Sequence, residues 1–114
     1  MTMPEPFQAL AHSLGRLATS APDQIKYLEA LGVTDLVDEL VLEFDDLYRP
    51  RASLVEEASP EAAAACRELD RMLSNDQLGW TFADLESPQW QGIRATAAAA
   101  HSALADVPAR GSLC

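Results

Sequence analysis

Cysteines and histidines are scarce in this 114-residue sequence, with two of each. Cys66 could act as a nucleophile only if the fold brought a histidine beside it. Neither His12 nor His101 follows an acid at the Glu-x-x-His spacing of di-iron helical bundles. The sequence also shows no zinc-type cysteine and histidine cluster and no glycine-rich phosphate loop. We therefore expect no catalytic residue, no cofactor and no metal, and we predict that the protein is not an enzyme.

Carboxylates are the stronger signal. The chain has 18 acids against 8 bases, which gives a net charge of −10. Six of the acids lie between positions 35 and 46, and no base interrupts them. When each residue is placed about 100° after the one before, as in an α-helix, these acids share one arc and the apolar residues cover the other. The acidic arc consists of Asp35, Asp38, Glu39, Glu43, Asp45 and Asp46.

One apolar residue, Leu42, falls in the middle of that acidic arc. It is either an anchor for a partner or a side chain covered by residues 49–58 or by a neighbouring helix. Like charges at helical spacing repel one another, and a basic partner would relieve this repulsion. The acids therefore form either a solvated face or a binding surface for a basic partner. We predict the second, with a partner-binding surface formed by Asp35, Asp38, Glu39, Leu42, Glu43 and Asp46.

The net charge bears on the class of partner. An acidic protein is repelled by nucleic acid and by anionic membranes, whereas it attracts basic proteins and meets them faster. The alternative is that the charge serves solubility alone. The sequence shows neither a signal-peptide pattern nor an apolar run near the ~18 residues of a membrane span. We expect a cytoplasmic protein with reduced thiols, in which Cys66 is a small core residue.

Helices must position these groups, because alanine and leucine dominate the apolar residues and β-branched residues are few. The apolar spacing predicts an all-α compact bundle of about five helices in a single domain, residues 1–114. The first helix spans residues 4 to about 19. The second begins at the Ser20 cap, ends at Leu31 before the Gly32 stop, and turns Ile25, Leu28 and Leu31 inward.

The remaining helices follow from serine and proline signals. Thr34 caps the third helix, which runs to about Tyr48, because Pro50 stops it and excludes Arg49 from the helical region. Ser-Pro pairs at 59–60 and 87–88 start the last two helices, which end near 74 and 105. The segments between and after the helices are a linker or short irregular turn at 51–58, a loop at 75–80 followed by a helical turn at 81–84, and a frayed tail at 109–114. Trp80 and Trp90 are expected to anchor the core.

Two stretches resemble the small acidic immunity proteins of bacterial contact-dependent and polymorphic toxin systems. They are residues 38–46, Asp-Glu-Leu-Val-Leu-Glu-Phe-Asp-Asp, after the helix end at 27–32, and residues 87–94, Ser-Pro-Gln-Trp-Gln-Gly-Ile-Arg. The similarity covers about residues 24–105. It implies a cytoplasmic inhibitor that binds the toxic C-terminal domain of its cognate toxin, often a nuclease or another enzyme with a basic cleft. It assigns no binding residues.

Two other functions stay open at this stage. The chain could be an acidic adaptor or regulatory domain that binds another basic protein, and this function predicts the same acidic face. It could also be a small ligand-binding or catalytic bundle. That function predicts a concave pocket in which His101, Cys66 or Tyr27 meets carboxylates.

Overall fold

Helices account for the regular structure of the described residues. The computed structural model describes residues 4–32 and 37–107, and no residue in these two stretches lies in a β-strand. Apolar side chains of every α-helix join one core, so the predicted all-α bundle is confirmed. The elements are α1 (Glu5–Ala18), α2 (Ala21–Ala30), α3 (Asp38–Tyr48), α4 (Ala52–Ala58), α5 (Pro60–Leu73) and α6 (Pro88–Ala105), with 3₁₀ turns at Arg49–Arg51 and Ala83–Glu86.

Serine caps begin three of these helices, as the sequence predicts. Each serine hydroxyl accepts a hydrogen bond from the backbone N–H three residues later, and a proline occupies one of the first two helical positions. The cap satisfies an N–H that has no partner inside the helix. The pairs are Asp23 N–H to Ser20, Ala62 N–H to Ser59, and Trp90 N–H to Ser87.

The last helix, α6, packs along both α1 and α5. Small residues allow this close approach: a Cβ on Gly92 would lie 3.1 Å from the methyl carbon of Met72 on α5. Trp90 is fully buried, and its indole N–H donates to the carbonyl of Gly79 at 2.9 Å. Trp80 packs edge-on against Trp90 with ring centroids 6.1 Å apart, so both tryptophans belong to the core region.

The inward face of α2 differs from the prediction. Leu28 is buried and Ile25 is partly buried, but Leu31 is 52% exposed, so its predicted inward position is wrong. The helix ends at Ala30, and Gly32 has a φ of +82°, the left-handed turn predicted for the helix stop. Because the chain turns away here, Leu31 leaves the core, and the polar side chain of Gln24 is buried instead.

Gln24 joins three elements. Its Nε2 donates to the carbonyls of Arg16 and Leu17 at 3.1 and 3.0 Å, in the last turn of α1. Carbonyls in the last turn of a helix lack an internal donor. Thr19 also donates to the Arg16 carbonyl, through its N–H at 3.4 Å and its hydroxyl at 2.9 Å, so the Leu17 carbonyl depends more on Gln24. On the other side, Arg94 of α6 donates to the Gln24 Oε1 at 3.4 Å and to the Leu85 carbonyl at 2.7 Å.

Residues 49–58 are helical, so the predicted linker is wrong. Arg49 stays in the helical region, with φ −53° and ψ −49°, and the 3₁₀ turn leads directly into α4. Pro50 lacks an N–H, but a side chain compensates. The Arg51 guanidinium donates to the carbonyl of Leu47 at 2.9 Å and to that of Pro6 at 2.8 Å. The bond to Leu47 is local, whereas the bond to Pro6 is tertiary and attaches this helical segment to α1.

The third helix begins later than predicted. Val37 is buried but has non-helical backbone angles, and α3 starts at Asp38. The predicted Thr34 cap, the predicted site residue Asp35 and the predicted tail at 109–114 lie outside the described residues. The Val37 N–H donates to the Trp80 carbonyl at 3.1 Å, which ties the start of α3 to the loop before α6.

Replacing Gln24 should destabilise the protein substantially. In Gln24→Ala, the Leu17 carbonyl loses a buried donor, and the Arg16 carbonyl and the Arg94 guanidinium each lose one of their partners, so we expect the free energy of unfolding to fall by about 2 kcal/mol. Urea denaturation followed by circular dichroism measures this loss. Gln89→Ala, at an exposed position of α6, is the control, with an expected change within about 0.5 kcal/mol. An equal loss in the two variants would contradict the role assigned to Gln24.

Candidate protein-binding site

The outer face of α3 carries most of the predicted site. Asp38, Glu39 and Asp46 are exposed, and Leu42 is 49% exposed. The opposite face of the helix buries Leu40 and Phe44 in the core. The helix therefore separates charge from apolar surface as the sequence predicts, with Leu42 on the charged side.

Leu42 borders an open groove between α1 and α3 with a volume of about 630 Å³. Because its side chain is half exposed, neither residues 49–58 nor another described helix covers it. Leu31 and Leu54 are exposed to a similar extent, so exposure alone does not single out Leu42. Leu42 is distinguished by its position in a concave surface. The groove is lined by Ala9, His12 and Arg16 of α1 and by Glu39, Leu42, Glu43, Asp46 and Leu47 of α3.

Glu43 holds the two sides of the groove together. Its Oε1 and Oε2 each accept a hydrogen bond from Arg16 Nη1 at 3.0 Å, and Oε2 lies 3.4 Å from the Tyr27 hydroxyl, which donates to it. The Arg16 guanidinium also lies over the Tyr27 ring, 4.6 Å from its centroid. Glu43 is therefore half-buried and electrostatically compensated by its own chain.

The remaining acids of α3 differ in their partners. Asp45 pairs with Arg49 at 2.6 Å, one turn further along the chain. Within residues 4–32 and 37–107, no ion pair involves Asp38, Glu39 or Asp46. The helix thus presents uncompensated carboxylates at both ends of its groove side and a compensated one between them.

Four of the predicted site residues meet in the groove. Glu39, Leu42, Glu43 and Asp46 line it, whereas Asp38 is exposed elsewhere on α3. Asp35 is outside the described residues. Sequence reasoning missed the α1 side of the groove.

One signal for the missed side was available. Arg16 is the only lysine or arginine in α1, on the side opposite its apolar stripe. Its charge indicated a position at the surface, but the sequence alone did not indicate which of the 18 acidic residues is its partner.

Candidate catalytic groups are poorly placed for reaction. Cys66 is buried, as predicted, and its burial raises the pKa of the thiol to about 11, so it is protonated at neutral pH. His101 is half-buried where α1 crosses α6; a Cβ on Gly15 would lie 3.9 Å from its ring. His12 is exposed at the groove. Among the residues that the structure describes, no group of three or more His, Cys, Asp and Glu side chains could hold a metal ion.

In comparisons with known proteins, no family model, no curated protein and no solved structure matches this chain. The resemblance to immunity proteins therefore stays a prediction, and the role of the groove is inferred from its residues and charges. No helix in the described ranges combines the length and apolar character needed to cross a membrane.

The pairing of Glu43 with Tyr27 is testable by titration. Burial raises the pKa of Tyr27 above its ordinary value, the Glu43 carboxylate raises it further, and the Arg16 guanidinium lowers it. Glu43→Gln removes the negative charge that opposes tyrosinate formation, so the pKa of Tyr27 should fall.

The measurement uses a Tyr48→Phe background, because the chain has only two tyrosines. Tyrosinate absorbance is followed against pH, with circular dichroism to verify that the protein stays folded. Glu57→Gln, at an exposed position of α4, is the control and should leave the curve unchanged. An unchanged pKa in Glu43→Gln would show that this carboxylate does not influence Tyr27 in solution.

Proposed function

We propose that this protein is an inhibitor that binds a basic protein domain through the groove side of α3, and that the domain is the toxic part of a bacterial toxin. One observation carries the binding role: Leu42 is 49% exposed between Glu39 and Asp46, for which no ion pair is described. The identity of the partner rests on the resemblance of residues 24–105 to toxin-immunity proteins.

Electrostatics supports a basic partner. A nuclease or a similar enzyme binds phosphates with lysine and arginine, and these side chains repel one another when the cleft is empty. Carboxylates on a helix can occupy the same positions and exclude the substrate. Charge complementarity over a surface of this kind speeds association and rejects acidic competitors.

Leu42 supplies an apolar anchor for the interface, which charged residues alone do not provide. Strong interfaces depend on a few well-buried side chains near their centre, surrounded by polar groups that exclude water. A leucine flanked by carboxylates has this arrangement. Its cost in the free protein is small, because singly exposed apolar residues are normal on protein surfaces.

Charge reversal at the groove should weaken inhibition. We expect the double variant Glu39→Lys/Asp46→Lys to bind the toxic domain at least about 100-fold less tightly, since close interfacial charge pairs contribute about 1.5 kcal/mol or more each and lysine adds repulsion. The probe is the purified toxic domain of a toxin encoded beside this chain, assayed for its own activity and by calorimetry at low and high salt.

The control is Glu57→Lys/Asp76→Lys, which has the same net charge but alters exposed acids on α4 and in the loop after α5. It should keep nearly all of the affinity. If both double variants lose affinity equally, net charge and not this surface attracts the partner. If the unaltered protein does not inhibit the toxic domain, the proposed function is wrong.

Leu42→Asp should weaken binding without unfolding the protein. Leu42 is half exposed, so we expect the free energy of unfolding to change by no more than about 1 kcal/mol, while affinity falls at least about tenfold. Leu54→Asp is the matched control, because Leu54 is 47% exposed on α4. A large loss of stability in Leu42→Asp, measured by urea denaturation, would place this side chain in the core instead.

A further inference from the structure

We infer that the α1–α3 groove receives an amphipathic basic helix of the partner, with two cations about two helical turns apart and an apolar side chain between them. This inference rests on the proposed function for the basic character of the partner. It adds the secondary structure of the bound segment, the spacing of its charges and the contribution of α1.

The spacing follows from α3. Glu39 and Asp46 are seven residues apart, which corresponds to about 10.5 Å along the helix axis. Leu42 lies three residues after the first and four before the second. On another α-helix, residues at i, i+3 or i+4, and i+7 also share one face at the same spacing. A β-strand, with about 6.8 Å between residues on one face, does not match two charges 10.5 Å apart.

Arg16 determines what the centre of the groove accepts. It already compensates Glu43 by hydrogen bonds to both carboxylate oxygens, and its side chain is 36% exposed. A third cation at the centre would meet this guanidinium and be repelled. Leu42 adds apolar surface between Glu39 and Asp46, and Ala9 and Leu47 line other parts of the groove. The groove therefore presents two acidic ends and, between them, Leu42 beside a charge-compensated ion pair.

The occupant follows from this complementarity. Lysine or arginine at both ends neutralises Glu39 and Asp46, and leucine or a similar residue covers Leu42 at the centre. A helix laid into a groove is a common mode of peptide recognition, in which anchors recur at i, i+3 or i+4, and i+7. The long stems of lysine and arginine can also cover part of the apolar floor.

Three synthetic peptides of equal length on an alanine-rich helical frame test the inference. The matched peptide has lysines at i and i+7 with leucine at i+4. The shifted peptide has the same composition with the second lysine at i+5, which leaves the binding face. The third peptide replaces the central leucine of the matched peptide with lysine. Fluorescence anisotropy of labelled peptides at moderate salt measures the Kd of each peptide for the full chain.

We expect the matched peptide to bind at least about tenfold more tightly than the shifted one. Leu42→Ser should abolish this preference, whereas Leu54→Ser should preserve it. We also expect the central-lysine peptide to bind the native protein more weakly than the matched peptide, and to gain at least about fivefold in Arg16→Gln, where Glu43 loses its internal cation.

Two results would overturn the inference. One is equal affinity of the matched and shifted peptides, since the spacing would then be irrelevant. The other is a preference that Leu42→Ser leaves intact, which would place the binding elsewhere. Either result is independent of the proposed function, because inhibition of the toxic domain can persist through a partner segment of another shape. Loss of inhibition with intact peptide selectivity would instead contradict the toxin as partner.

Discussion

Burial of the apolar stripe of α1 is the constraint on which the other features depend. Phe7, Leu10, Leu14 and Leu17 face the core, and α1 packs against both α6 and α3. Once this stripe is buried, the rotation of α1 about its axis is determined, because each residue follows the last by about 100°. With α1 in this orientation, Arg16 reaches Glu43 of α3, and the carbonyls of Arg16 and Leu17 accept hydrogen bonds from Gln24.

The Arg16–Glu43 pair matters more for the pattern of charge than for stability. Both side chains are partly exposed, so solvent screens the pair and its contribution to folding is at most about 1 kcal/mol. Without it, Glu39, Glu43 and Asp46 would form an uninterrupted ridge of like charge. With it, the ridge has acidic ends and a compensated centre. A modest surface interaction thus determines which side chains the groove can accept.

Buried polar groups explain why the bundle has one arrangement. Helix packing through alanine and leucine tolerates small shifts, but Gln24 must satisfy carbonyls of α1 and the guanidinium of Arg94 at once. The buried Trp90 indole N–H likewise needs an acceptor, which is the Gly79 carbonyl. Each hydrogen bond is lost if its helix moves by a fraction of a turn, and the unpaired group would then cost about 1–3 kcal/mol. The buried Ser13 hydroxyl has no hydrogen-bond partner among the described residues, and nothing in the structure explains it.

Local chemistry in the sequence determined the helical class, the serine caps at 20, 59 and 87, the Gly32 turn and the two-sided character of α3, because each depends on residues within one or two helical turns. Tertiary structure decided the rest. Residues 49–58 are helical beyond Pro50, and Arg51 attaches this segment to α1 through the Pro6 carbonyl, a contact across 45 positions that no local rule anticipates. Gln24 is buried because the start of α2 meets the end of α1, whereas Leu31 is exposed because the chain turns away from the core at Gly32. The groove itself requires α1 beside α3, since one helix can supply a charged face but only two can form a concave surface that selects its occupant.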